Sequence, residues 1–183
     1  MLSSLFAGLT AASERTYVSV YAATYSPSSF LELVAPVNVE LSSRSRLAAL
    51  AIGRPLADFW GLEWDVEGQV VRHWGDQTNF EFNALYLARW QLPILEELVA
   101  PAFAFGHGIS WATEPPSLEP SGDPNEKSSE VLNYLMAELE FAPPSAGQWG
   151  GFVRVHHRSG VFGLIDGIKG GSNFVGAGIR YRF

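Results

Sequence analysis

Residues 149–183, WGGFVRVHHRSGVFGLIDGIKGGSNFVGAGIRYRF, decide how the chain is read. Trp149, Gly151, Val153 and Val155 fall on one face and Phe152, Arg154, His156 and Arg158 on the other, the period of two of a β-strand. A turn follows, then a closing strand with Val175, Ala177, Ile179, Tyr181 and Phe183 on one face. Its other face carries Ser172, Gly176, Gly178, Arg180 and Arg182. A soluble antiparallel sheet would leave these arginines in water. A membrane barrel inverts the arrangement, turning the apolar face to lipid and the arginines into a polar interior.

The terminal aromatic, Phe183, favours the barrel, because a last strand ending in Phe is similar to the assembly signal of bacterial outer-membrane barrels. Composition agrees: 183 residues suit a single domain, and 47% hydrophobic with 17% charged residues excludes a disordered chain. A net charge of −7 argues against nucleic acid as a partner, and the lack of cysteine removes thiol chemistry and disulfides. No apolar run reaches the roughly 18 residues of a membrane-spanning helix. A chain of this kind crosses a bilayer only as a closed barrel. Residues 1–13, MLSSLFAGLTAAS, are read as the remnant of a secretory signal, and residues 14–183 as one barrel domain.

Eight strands are expected. The first runs from Arg15 to Tyr25, and after it residues 26–44 form a long connection whose segment Phe30–Leu41 is expected to fold back as part of a strand. The second, Arg46 to Leu56, has a blurred pattern. In the third, Leu62, Trp64, Val66 and Val70 oppose Glu63, Asp65, Glu67, Gln69 and His73. The fourth sets Phe80, Phe82, Ala84, Tyr86 and Trp90 against Glu81, Asn83 and Arg89. The fifth, Ala100 to Trp111, reads either way round. A Pro- and Ser-rich loop over Thr113–Ser128 precedes the sixth, Glu130 to Phe141, whose outward set is Val131, Leu135, Ala137, Leu139 and Phe141.

The predicted fold is therefore all-β: an eight-stranded antiparallel transmembrane barrel in the bacterial outer membrane. Long connections are expected at one end, the short segment Gly75–Asn79 excepted. Glu63, Asp65, Glu67, Glu81, Glu138 and Glu140 face inward with Arg89, Arg154, Arg158, Arg180, Arg182 and two histidines. Eight strands enclose about enough room for side chains, so the interior is expected to be a plug of ion pairs.

At the end of the seventh strand the outward face continues through His157 to Ser159. A polar pair aimed at lipid is costly without a partner or a purpose. Two apart on one face, they allow the imidazole to take the hydroxyl proton as Ser159 attacks a carbonyl. The substrate within reach is an ester-bearing lipid of the outer leaflet.

His157-Arg158-Ser159, on the penultimate strand of such a barrel, followed by a Gly- and Asn-containing turn and an aromatic-ended strand, resembles the PagL-type lipid A 3-O-deacylases. The likeness is specific over residues 149–183 and architectural before them. It implies an esterase acting on lipid A of lipopolysaccharide without metal or cofactor, with His157 as base and Ser159 as nucleophile. Two positions depart from the family's pattern. The Asn that follows its Ser is Gly160 here, and the Glu that orients its His falls on Gly171. Asn173, outward on the last strand, is the first candidate to orient His157, and Asp166 in the intervening loop is the alternative. A homodimer stays open on this reading.

Two rivals carry different expectations. A non-catalytic small outer-membrane barrel would stabilise the membrane or bind a partner through its outer loops, and the bland reading of the motif is a basic band of His156, His157 and Arg158 on lipopolysaccharide phosphates, with Ser159 ending the strand. A soluble barrel with a ligand cavity would need its outward aromatics buried.

Overall fold

The computed structural model describes residues 15–35, 39–119 and 128–183. The signal-like stretch 1–13, and part of the loop 113–128, lie outside them. The strands are β1 (Tyr17–Ser26), β2 (Ser42–Phe59), β3 (Leu62–Gly75), β4 (Phe80–Gln91), β5 (Pro101–Ala112), β6 (Val131–Phe141), β7 (Trp149–Ser159) and β8 (Gly171–Arg182). They pair in sequence order, and β8 closes antiparallel on β1, giving a closed barrel without a free edge. No helix among the described residues is long and apolar enough to cross a membrane.

The connections differ at the two ends. At one end β2 and β3 are joined by Trp60 and Gly61 alone, both at positive φ (59° and 73°), which matches the strand twist of a tight hairpin. At the other, segments 27–41, 113–130 and 160–170 are long, whereas 76–79 is short. This is the expected asymmetry with its one exception. β2 is longer than the alternation suggests, because a register shift between Pro55 and Ala57 lets the strand continue past the proline.

The described residues of segment Phe30–Leu41 form no strand. The segment opens with a short helix, α1 (Phe30–Val34), held by a capping box in which Ser29 Oγ accepts from the Glu32 backbone N–H and the Glu32 carboxylate accepts from the Ser29 N–H. The Ser-x-x-Glu signature outweighed the apolar content of the segment. The fifth strand resolves with Phe103, Phe105, His107, Ile109 and Trp111 outward and Ala102, Ala104 and Ser110 inward.

Exposed aromatics mark the outer surface at both ends: Trp60, Trp90, Trp149 and Phe183 at the short-turn end, Trp74, Phe80 and Trp111 at the other. Inside, Arg154 joins Glu67 (2.8 Å) to Glu138 (2.6 Å), Arg89 reaches Glu140 (2.5 Å) and Asp65 (3.2 Å), and Arg180 pairs with Glu138 and Glu140. Glu67, Glu138 and Glu140 are each shared between guanidinium groups, whereas Asp65 pairs with Arg89 alone. Arg154 also stacks over Tyr21 and Phe152, and Arg180 over Tyr17. The lumen is filled by side chains.

Candidate active site on the outer wall

The ladder fixes which outward residues are neighbours. Leu135, His157 and Asn173 form one row across β6, β7 and β8, and Asn133, Ser159 and Gly171 form the next row toward the long-loop end. These rows bring His157, Ser159 and Asn173 together, as the alternation requires.

Asn173 Oδ1 lies 2.7 Å from His157 Nδ1, and Asn173 Nδ2 donates to the Ser28 carbonyl at 2.9 Å. That carbonyl can only accept, so it fixes which end of the amide faces it. The oxygen left for His157 is also an acceptor. His157 therefore carries its proton on Nδ1, and its Nε2 lone pair is free to act as a base.

Asp166 is elsewhere. Its Oδ2 accepts from Ser129 Oγ at 2.7 Å, and it lines a separate cavity with Ser128 and Ser129.

The segment between β1 and β2 folds onto the outside of the barrel here. Leu33 of α1 is buried against Ala137 and Val155, flanked by Phe103 and Val175, and the Phe30 ring lies 5.1 Å from the His157 ring. A cavity of about 520 Å³ runs between α1 and the strand wall, lined by Phe30, Leu31, Leu135, His157, Ser159 and Asn173, among others. Its size is that of ligand sites, and its walls are apolar with a few convergent polar groups. The polar pair thus faces a sheltered groove, half-buried, instead of open lipid.

Sequence reasoning missed Asn133. It belongs to the outward face of β6 yet is only 7% exposed, it pairs in register with Ser159, and it lines the same groove. A lone Asn amid Val131, Leu135, Ala137 and Leu139 was the available signal.

The two departures have a steric basis. A Cβ at Gly171 would lie 2.4 Å from the Arg158 carbonyl oxygen and 3.0 Å from Ser159 Cβ, and one at Gly160 would lie 2.0 Å from the Ile168 carbonyl oxygen. Neither position has room for a side chain as the backbone stands.

No family model and no curated protein matches the chain. Among solved structures, the outer membrane enzyme PagL superposes with a TM-score of 0.56 at 12% identity, covering 90% of this chain and 98% of that one. Neisserial surface protein A (NspA) superposes with a TM-score of 0.55 at 14% identity, covering 92% of this chain and 97% of that one. At such identities the likeness is one of fold: this chain is an eight-stranded antiparallel barrel of the outer-membrane type, and its chemistry has to be argued from its own residues.

Proposed function

We propose that the chain is an outer-membrane esterase that removes an ester-linked acyl chain from lipid A, working from the lipid-facing wall of the barrel. The observation that carries this reading is the 2.7 Å contact of His157 Nδ1 with an Asn173 amide anchored on Ser28, beside Ser159 in one groove. A half-buried histidine held in its basic tautomer next to a serine is an arrangement that structural needs alone do not call for.

In the proposed reaction an acyl chain of lipid A enters between α1 and the wall. Ser159 Oγ attacks the ester carbonyl carbon while His157 Nε2 takes the hydroxyl proton. The oxyanion is met by the Asn133 side-chain amide, which replaces the donor that Gly160 lacks. Collapse of the tetrahedral intermediate expels the sugar hydroxyl, protonated by His157, and leaves an acyl-serine. Water, activated by the same imidazole, then releases the fatty acid.

A second reading, a non-catalytic small barrel with a structural or partner-binding role, is favoured by the neutral partner of His157. An amide orients an imidazole but stabilises the imidazolium less than a carboxylate does.

Mass spectrometry of lipid A from cells producing the wild type or Ser159→Ala tests the proposal, once both are seen as heat-modifiable outer-membrane barrels. Loss of one acyl mass with the wild type alone is expected. Unchanged lipid A with both would move the assignment to the non-catalytic barrel.

A further inference from the structure

Inside the lumen, toward the long-loop end, three side chains converge that the proposed esterase does not use. His73 (β3), Glu81 (β4) and His156 (β7) are all fully buried. His73 Nε2 lies 2.8 Å from Glu81 Oε2, and His156 Nε2 lies 3.0 Å from Glu81 Oε1. The three donor atoms fall within 4.8 Å of one another. β3 and β4 are neighbours, but β7 lies across the lumen from them, so the cluster spans the barrel.

As a set of hydrogen bonds the cluster is incomplete. Glu81 Oε1 and His156 Nε2 approach closely, yet neither makes a hydrogen bond, and Gln77 Oε1 beside them is also buried without a partner. Meanwhile Gln77 Nε2 lies 2.8 Å from His73 Nδ1. Turning the Gln77 amide over places its orphaned oxygen on His73 Nδ1–H and frees the Nε2 lone pair for the centre of the cluster. His156 Nδ1 lies 2.9 Å from the Tyr21 hydroxyl and 3.2 Å from that of Tyr134, either of which can accept its proton, so that Nε2 is free as well. One cation between Nε2, Nε2 and the Glu81 carboxylate would satisfy the orphaned Glu81 Oε1 and His156 Nε2, and the turned amide satisfies Gln77 Oε1. Each Nδ1–H then has an acceptor that fixes its tautomer, which is what a metal-bound histidine requires of its other nitrogen.

We propose that His73, Glu81 and His156 form a binding site for a divalent transition-metal ion, with zinc the best match, bracing β3 and β4 to β7 across the lumen. Two imidazoles and one carboxylate suit zinc and its neighbours, whereas calcium and magnesium call for oxygen donors. Donors of a tetrahedral zinc stand roughly 3.3 Å apart, so small side-chain rotations within the cluster complete the geometry and leave a fourth position for water. The site is structural and does not depend on the esterase reading.

The test uses untagged wild-type barrel refolded into detergent from urea with EDTA, then dialysed and titrated with Co²⁺. About one Co²⁺ per chain is expected, with the strong visible absorption of a four-coordinate site, displaced by Zn²⁺. Zn²⁺ should also raise the temperature at which the barrel loses heat-modifiability. Glu81→Gln and His156→Gln should fold and lose the Co²⁺ spectrum. A wild type that takes up no stoichiometric Co²⁺, a hydrogen-bonded network only, overturns the proposal, as does a spectrum that survives in both variants. Where a variant does not fold, zinc-edge absorption of the loaded wild type decides: two imidazole nitrogens and a carboxylate oxygen support the site, and any other ligand set overturns it.

Discussion

Asn173 and His157 face each other across the β7–β8 ladder, and the amide holds the imidazole through Nδ1 at 2.7 Å. The amide that contacts the imidazole is thus itself anchored, through Ser28, to the segment that covers the groove. Asn173→Leu removes both contacts and leaves the tautomer unfixed. Deacylation should fall by roughly 10²- to 10⁴-fold with the barrel still heat-modifiable. Asn173→Asp should keep at least the wild-type rate, because a carboxylate oxygen also accepts from Nδ1. Its other oxygen then meets the Ser28 carbonyl, so hydrogen exchange over residues 28–34 should quicken. A wild-type rate in Asn173→Leu would remove Asn173 from the mechanism.

Asn133 stands in register with Ser159 on the neighbouring strand. If its amide meets the oxyanion, Asn133→Ala should lower kcat by about 10²- to 10³-fold with little change in KM. Asn133→Asp should be worse, since a carboxylate repels the developing charge. Equal losses in kcat and in groove binding of a non-hydrolysable lipid would assign Asn133 to substrate packing instead.

Restoring the residues of the resembled family at the two departures should not raise activity. Gly171→Glu drives a Cβ to 2.4 Å from the Arg158 carbonyl oxygen, and Gly160→Asn drives one to 2.0 Å from that of Ile168. Both contacts are with backbone, which yields only if the β7–β8 connection shifts. Each variant should show lower heat stability and lower deacylation than wild type. A gain of activity in Gly171→Glu would show that this connection rearranges freely.

The inward and outward faces of β3, β4, β7 and β8 were legible from alternation alone, because each carries large apolar residues against charged ones. β5 was not, since Gly, Ala and Ser face the lumen where larger residues would crowd Leu85 and Met136. In the proposed site, periodicity put His157, Ser159 and Asn173 on the outward face, where the ladder has them. It marked Asn133 only as a lone polar residue on an apolar face, because its place beside Ser159 depends on the β6–β7 register, a long-range pairing. Nor could alternation place α1 over the groove, because its contacts with Ala137 and Val155 join segments far apart in the chain.

Arg154 joins Glu67 and Glu138 within the lumen, all three fully buried. Arg154→Met leaves two carboxylates short of their counter-charge and should cost about 3–5 kcal/mol. The urea midpoint of the barrel should fall accordingly. Adding Glu138→Gln to Arg154→Met should recover part of the loss, by removing one of the charges left unpaired. No recovery would mean that stacking of the guanidinium on Tyr21 and Phe152 was the larger contribution.

Glu119, in the connection between β5 and β6, gives the pH dependence of the long-loop end. Its carboxylate is buried, binds Arg158 Nη1 at 2.6 Å and accepts from the Ser128 and Ser172 hydroxyls. Burial pushes the carboxyl up to about 7, outweighing the Arg158 guanidinium and the hydroxyl donors, which pull it down. A carboxyl raised in this way holds its proton more tightly folded than unfolded. Its contribution is full below the unfolded value of about 4.3 and is lost as the pH rises through about 7. Packing of Glu119 against Arg158 and Ser172 should therefore be tighter at pH 5 than at pH 8. Amide exchange at Glu119 and at Ser128 and Ser129, corrected for the intrinsic rate, should show greater protection at the lower pH. Glu119→Gln, neutral throughout, should abolish the difference. Protection that instead grows from pH 5 to pH 8 would show that the Arg158 ion pair, and not burial, governs this carboxyl.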